Sequence, residues 1–201
     1  MGKIIYNLAE LVYKFIALNI LWLLFFLLGL GVFGFMPSTV ALFSVVREWI
    51  KGNKEIPIFR KYFTTFKEEF LRSNIIGLIF LVLFYVLYVN FSFVSYFYDE
   101  SIQFFIYLAI IGIGSLIMMT FINVFSVMAH FQYRTLENIK AACGLVILHP
   151  LKALVQLIWV IAYVLIAIHF PKLFVGIGIS VFAYILMSLH YTVFQKYKLI
   201  N

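Results

Sequence analysis

The chain is 201 residues long, 65% hydrophobic and only 11% charged, with a net charge of +7 at neutral pH. An ordinary soluble domain carries about a quarter charged residues, so this composition excludes one and points to a single all-α membrane domain over 1–201. The basic residues sit between apolar runs, where positive-inside placement explains them better than nucleic-acid binding, and the single cysteine, Cys143, excludes an internal disulfide or a cysteine-based metal cluster.

From Gly2 to Lys14, the residues Ile4, Ile5, Leu8, Leu11 and Val12 recur at helical spacing, which predicts an interfacial helix leading into the first span. Glu10 and Lys14, four apart, can pair on its surface. The first apolar run is too long for a secretory signal and no small-residue cleavage site follows it. Residues 15–46 carry no charge. As one straight helix they would extend roughly 48 Å, beyond a hydrocarbon core of about 30 Å, so the run must bend. Gly29, Gly31, Gly34 and Pro37 mark the bend, with Gly34 and Pro37 setting a hairpin: glycine permits the turn and proline suits the first position of a new helix.

The second leg, Pro37 to Lys51, admits two arrangements. It returns through the bilayer packed inside the protein, or it lies flat with Ser44, Arg47, Glu48 and Lys51 to water and Leu42, Val45, Val46 and Trp49 to lipid. The first puts the N-terminus inside and divides Lys and Arg fourteen inside to one outside; the second puts it outside and divides them twelve to three. Both obey the positive-inside rule, and the returning hairpin fits it better.

A main cytoplasmic loop follows, about 47–72. Gly52-Asn53 ends one helix and Pro57 opens another, on which Phe59, Tyr62, Phe63, Phe66 and Phe70 recur at spacings of three and four among Arg60, Lys61, Lys67, Glu68 and Arg72. This aromatic, basic, amphipathic helix suits the membrane surface. Its stripe either packs on the protein's own spans or docks a cytoplasmic partner through Tyr62, Phe63, Phe66, Lys67 and Phe70.

The remainder reads as Ser73–Tyr98, an acidic outside turn at Asp99-Glu100, a return through Ser101–Tyr133, and a basic loop from Arg134 to Lys152 in which 141–148 is apolar. A span from Pro150 to Ile168, an outside turn at 169–172 and a last span from Leu173 to Gln195 bring a basic tail back inside. The expected fold is a polytopic transmembrane helical bundle of five to six membrane helices plus interfacial amphipathic helices, with a cytoplasmic C-terminus.

Catalysis by paired carboxylates or a Ser/His arrangement finds no support, because no Asp, Glu, Lys or Arg lies within a confident span. The best polar line is Thr120, Asn123, Ser126 and His130, along one face of one helix. Polar groups in a span face the bundle interior or a water-filled path, so the line either bonds neighbouring helices or forms a substrate or proton path. His149, His169 and His190 are dispersed, each near a predicted helix end, which argues against a metal site. No phosphate-binding loop occurs, and no cofactor is expected.

The N-terminal third resembles the YesL family of bacterial integral membrane proteins. The elements that carry the likeness are a first span with Asn19 and Trp22, the bend at Gly34 and Pro37, the helix through Ala41-Leu42, the Gly52 turn, and the run from Phe63 through Phe66-Lys67 to Phe70. The family's Gly-Pro pair is opened here to Gly34-Phe-Met-Pro37. A second likeness lies at 138–144 and at His149-Pro150. The resemblance implies association with bacterial carbohydrate uptake, particularly ABC importers, whose permease subunits would be partners alongside the lipid bilayer. Three classes of function follow: a non-enzymatic accessory subunit of such an importer, a self-sufficient small-molecule transporter or channel, and a membrane enzyme.

Overall fold

A computed structural model describes residues 2–198, leaving aside the side chains of 2–5, 7, 8, 173, 175, 197 and 198. The apolar stripe at Ile4, Ile5 and Leu8 and the tail residue Lys198 therefore lie outside the described side chains. All regular structure among the described residues is helical: α1 (Gly2–Leu28), α2 (Val32–Ile50), α3 (Ile58–Phe97), α4 (Glu100–His130), α5 (Thr135–Leu148), α6 (Pro150–His169), a single turn α7 (Pro171–Leu173), a π-helical turn over Phe174–Gly178, and α8 (Ile179–Lys198). Five stretches are long and apolar enough to cross a membrane: Ala9–Leu28, Ile58–Phe97, Glu100–His130, Pro150–His169 and Gly176–Lys196. The protein is an all-α, multi-pass membrane protein.

The bend falls earlier than the sequence predicts. The chain reverses at Gly29-Leu30-Gly31, where Leu30 and Gly31 take positive φ (55° and 74°) and the Gly31 N–H donates to the Phe26 carbonyl at 2.9 Å. Gly34 makes no turn. A Cβ built on it would stand 2.4 Å from the Phe26 carbonyl oxygen and 2.7 Å from that of Phe25, so its role is to let the backbone of α2 touch that of α1.

Pro37 does not open α2 but lies inside it. An interior proline cannot donate to the carbonyl four residues back, here that of Phe33. The Asn74 side chain on α3 takes over this bond, with Nδ2 donating to the Phe33 oxygen at 3.0 Å and to that of Phe70 at 2.8 Å.

The residues that the flat arrangement gives to lipid lie inside the protein. Leu42, Val45 and Val46 are fully buried and Trp49 nearly so, and α2 packs against α1, α3, α4 and α8. At its end Arg47 donates to the Ala129 and His130 carbonyls, satisfying orphan acceptors at the C-terminus of α4. Its start is tied to Asn74, next to Arg72, which donates to the Tyr133 carbonyl at 2.7 Å. Both ends of α2 are thus anchored, directly or through α3, near residues 129–133. Between these ends, Phe35 and Phe43 flank the Phe125 ring of α4 at 6.2 and 5.9 Å.

The amphipathic segment and the following span are one 40-residue helix, α3, with no break at Ser73. No glycine or proline occurs between Pro57 and Gly77, and a shift from amphipathic to apolar composition leaves the backbone hydrogen bonding untouched. The aromatic helix is therefore a rigid extension of α3 rather than a separate interfacial element.

At the other edge, α6 begins with Pro150 at its first turn and buries a single residue, Gln156. The π-helical turn and the first turn of α8 are stitched to α1 by Asn19, whose Nδ2 donates to the Phe174 carbonyl at 3.5 Å and whose Oδ1 accepts the Ser180 N–H at 2.9 Å. Ser180 Oγ in turn donates to the Phe15 carbonyl at 3.0 Å.

Candidate functional site

The polar line on α4 is split by its surroundings. Thr120 is buried and its hydroxyl donates to the Leu116 carbonyl of its own helix at 2.8 Å. Asn123 is buried, and its Oδ1 meets no donor among the described residues. Ser126, fully buried, reaches across to α8, where its Oγ stands 2.9 Å from His190 Nδ1. The other ring nitrogen of His190 faces Gln156 Oε1 on α6 at 3.4 Å. Because an amide oxygen can only accept, the consistent assignment has Nε2 donating to Gln156 and Ser126 donating to Nδ1. His130 sits among Phe131, Tyr191 and Phe194, with ring centroids 4.6, 5.8 and 4.7 Å away. The four residues therefore do not share one environment.

His190 and Gln156 are the residues that sequence reading passed over. The sequence puts His190 near a helix end, yet it lies within α8 and is 4% exposed. A signal existed: Ala183, Met187, His190 and Phe194 fall four, three and four apart, so His190 completes the buried stripe of α8. For Gln156 the only cue is one amide in a long apolar run. Its Nε2 meets no acceptor among the described residues.

The aromatic face of α3 is divided between the chain's own core and the outside. Tyr62, expected to flank a docking stripe, is fully buried and donates to the Ser38 carbonyl of α2 at 2.9 Å, so it is withdrawn from that role. Phe66 packs on Phe25 of α1 at 4.9 Å. Helical periodicity locates a stripe but cannot say which of its edges meets another helix, and here α1 and α2 cover the edge that carries Tyr62 and Thr65. Phe59, Phe63 and Phe70 stay 58%, 41% and 38% exposed. Phe59 and Phe63 stack at 6.0 Å, and the Lys67 ammonium lies 5.5 Å over the Phe63 ring, a cation–π contact.

Charges gather around this surface in local pairs. Arg72 pairs with Glu69. Beyond the apolar leg of α2, Glu48 bonds Arg47, Lys51 and Asn53. Burial pushes its carboxyl up, but the hydrogen bonds from Arg47 and Asn53 and the charges of Arg47 and Lys51 outweigh that and hold it down at about 2. Lys14, paired with Glu10, also donates to the Lys54 carbonyl at 2.9 Å, which brings the middle of α1, where its uncharged stretch begins, to the α2–α3 loop.

The family described as "Protein of unknown function, DUF624" matches residues 15–91. Three proteins of Bacillus subtilis (strain 168), each titled uncharacterized, are similar over nearly the whole chain. YteU is 30% identical over 190 residues, covering 94% of this chain and 84% of the relative. YesL is 32% identical over 182 residues, covering 89% and 84%. YesV is 34% identical over 188 residues, covering 94% and 90%. No solved structure matches.

Proposed function

The chain belongs to the YesL family, and on that premise we propose that it is a non-enzymatic accessory protein of a bacterial carbohydrate import system of the ABC type, embedded in the cytoplasmic membrane. The observation that carries the reading is the divided face of α3. Tyr62, Thr65 and Phe66 lock the helix to α1 and α2, while Phe59, Phe63 and Phe70 stand exposed beside Arg60 and Lys67. A rigidly held aromatic patch flanked by basic residues has the composition of a protein docking surface, where aromatic anchors supply most of the energy.

Sidedness supports the same reading. The Lys14–Lys54 contact joins α1, at the point where its uncharged stretch begins, to the loop that opens α3. With those two on one side, the basic residues divide fourteen to one, and the positive-inside rule makes that side cytoplasmic. The C-terminus falls on it too. There the ATPase and permease loops of an importer are accessible.

The alternative, a self-sufficient transporter or channel, draws on the buried polar atoms of Asn123 and Gln156. Against it, Ser126 and Thr120 have partners within the bundle, which supports helix packing over a conduction path.

The test is co-purification with tagged importer permease subunits. Burying one ring against a partner contributes roughly 1.5–3 kcal/mol, whereas an exposed charge pair gives under about 1 kcal/mol. Phe63→Ala should therefore weaken capture more than Lys67→Ala, with membrane insertion unchanged. Capture that survives Phe63→Ala combined with Phe70→Ala would rule this surface out. Uptake of sugar or ion by the purified protein in liposomes would transfer the reading to a transporter.

A further inference from the structure

A pocket lies away from the aromatic face, where the uncharged stretch of residues 15–46 begins and ends. It is a cavity of about 340 Å³ bounded by Glu10, Leu11 and Lys14 of α1, Trp49 of α2, Lys54 of the following loop and Tyr184 of α8. Three features of its lining bear on what it takes. Trp49 is 6% exposed, and its indole N–H meets no acceptor among the described residues. A buried donor left without an acceptor costs free energy, so an acceptor arriving from outside is favoured. The Lys54 ammonium has no ion-pair partner among the described residues, whereas Lys14 is paired with Glu10. Two ammonium groups therefore stand against one carboxylate, leaving a net single positive charge at the wall. The remaining walls, Leu11 and the Tyr184 ring, are apolar, and Leu11 belongs to the outward face of α1 with exposed Val12 and Tyr13.

We propose that this pocket binds the phosphodiester headgroup of an anionic phospholipid. A phosphate oxygen accepts from the Trp49 indole and from the Lys54 ammonium, the Lys14–Glu10 pair forms the polar rim, and the acyl chains leave along the apolar outer face of α1. A membrane source follows from the position: the site opens where charged residues give way to an uncharged span, which is headgroup depth. A zwitterionic choline headgroup would bring a second cation against an already positive wall, so an anionic lipid is preferred.

The test uses the full-length protein in detergent, with native mass spectrometry at graded dioleoyl-phosphatidylglycerol or dioleoyl-phosphatidylcholine. One phosphatidylglycerol should be retained at concentrations where phosphatidylcholine is lost. Lys54→Gln, on an exposed turn, should weaken retention roughly fivefold. Trp49→Phe, which keeps an aromatic ring at the position and removes the donor, should weaken it roughly tenfold. Lys140→Gln, an exposed cation on α5, should leave it unchanged. Should Trp49→Phe fail to fold, Lys54→Gln decides alone. Equal retention of the two lipids overturns the proposal, as does a Lys54→Gln variant that binds like the parent. So does inorganic phosphate raising the melting temperature as far as phosphatidylglycerol does, because that marks a soluble-anion site.

Discussion

Helices α2 and α6 are nearly equal in length, 19 and 20 residues, and occupy opposite extremes of the molecule. α6 is apolar enough to cross a membrane and buries one residue, a glutamine. α2 contains a glycine, a proline, an arginine and a glutamate, is not among the five membrane-length apolar stretches, and has thirteen buried residues. Hydropathy therefore points away from the centre of this protein. In lipid, leucine and valine gain little by leaving the chains for a helix interface, so association rests on close packing and hydrogen bonds. α2 supplies both. Gly34, Ser38, Ala41 and Ser44 permit close approach, and several polar groups bond across to neighbouring helices: Trp22 Nε1 donates to Thr39 Oγ1 at 3.1 Å, and Tyr62 to the Ser38 carbonyl.

The contrast breaks most sharply at Gly34. Its missing Cβ is the space in which α1 and α2 touch, and the obstacles are backbone carbonyls that cannot swing aside. Gly34→Leu should cost about 3 kcal/mol or more, read as loss of monodisperse protein in fluorescence-detected size exclusion. Gly112→Leu, at a glycine with open space around it, should behave like the parent. Equal yields from the two would mean that α2 is not the packing centre.

A middle-sized effect sits at the proline. Asn74→Leu leaves the Phe33 carbonyl with no donor and should lower stability by about 1 kcal/mol. Pro37→Ala restores the intrahelical N–H, so the double variant should recover much of the loss in a thermal melt. Additive losses would show that Asn74 acts on something other than the gap left by Pro37.

Smaller still is the joint between α4 and α8. Ser126→Ala removes the hydroxyl facing His190 and should cost about 0.6 kcal/mol, the average for a hydrogen bond between membrane helices, measured by reversible unfolding in mixed micelles. Gln156→Leu on α6 should change stability least, within about 0.5 kcal/mol, because two effects oppose: His190 Nε2 loses its long 3.4 Å acceptor, while an amide nitrogen buried without an acceptor is removed. A Gln156→Leu loss as large as that of Gly34→Leu would overturn the view of α6 as a loosely held outer helix.

What the sequence determined by itself follows from effects that act locally or through composition. The charge fraction and the uncharged runs specify a multi-pass helical membrane protein, because only helices or closed barrels satisfy the backbone in lipid, and these runs are too long and too uniformly apolar for the alternating pattern of barrel strands. The 32 charge-free residues from Phe15 had to bend for reasons of length alone, and Pro150 marked the start of α6 because proline tolerates a first helical turn. The tertiary structure decided the rest. Gly34 and Pro37 look alike as breakers, yet one serves backbone contact with α1 and the other survives mid-helix because Asn74, 37 positions away, supplies the missing donor. Tyr62 and Phe63 are neighbours in one aromatic stripe, yet one is sealed against α2 and the other exposed. Ser126 was legible as polar, while its partner His190 was not. Each of these depends on which face another helix covers, and helix periodicity defines faces without stating their neighbours.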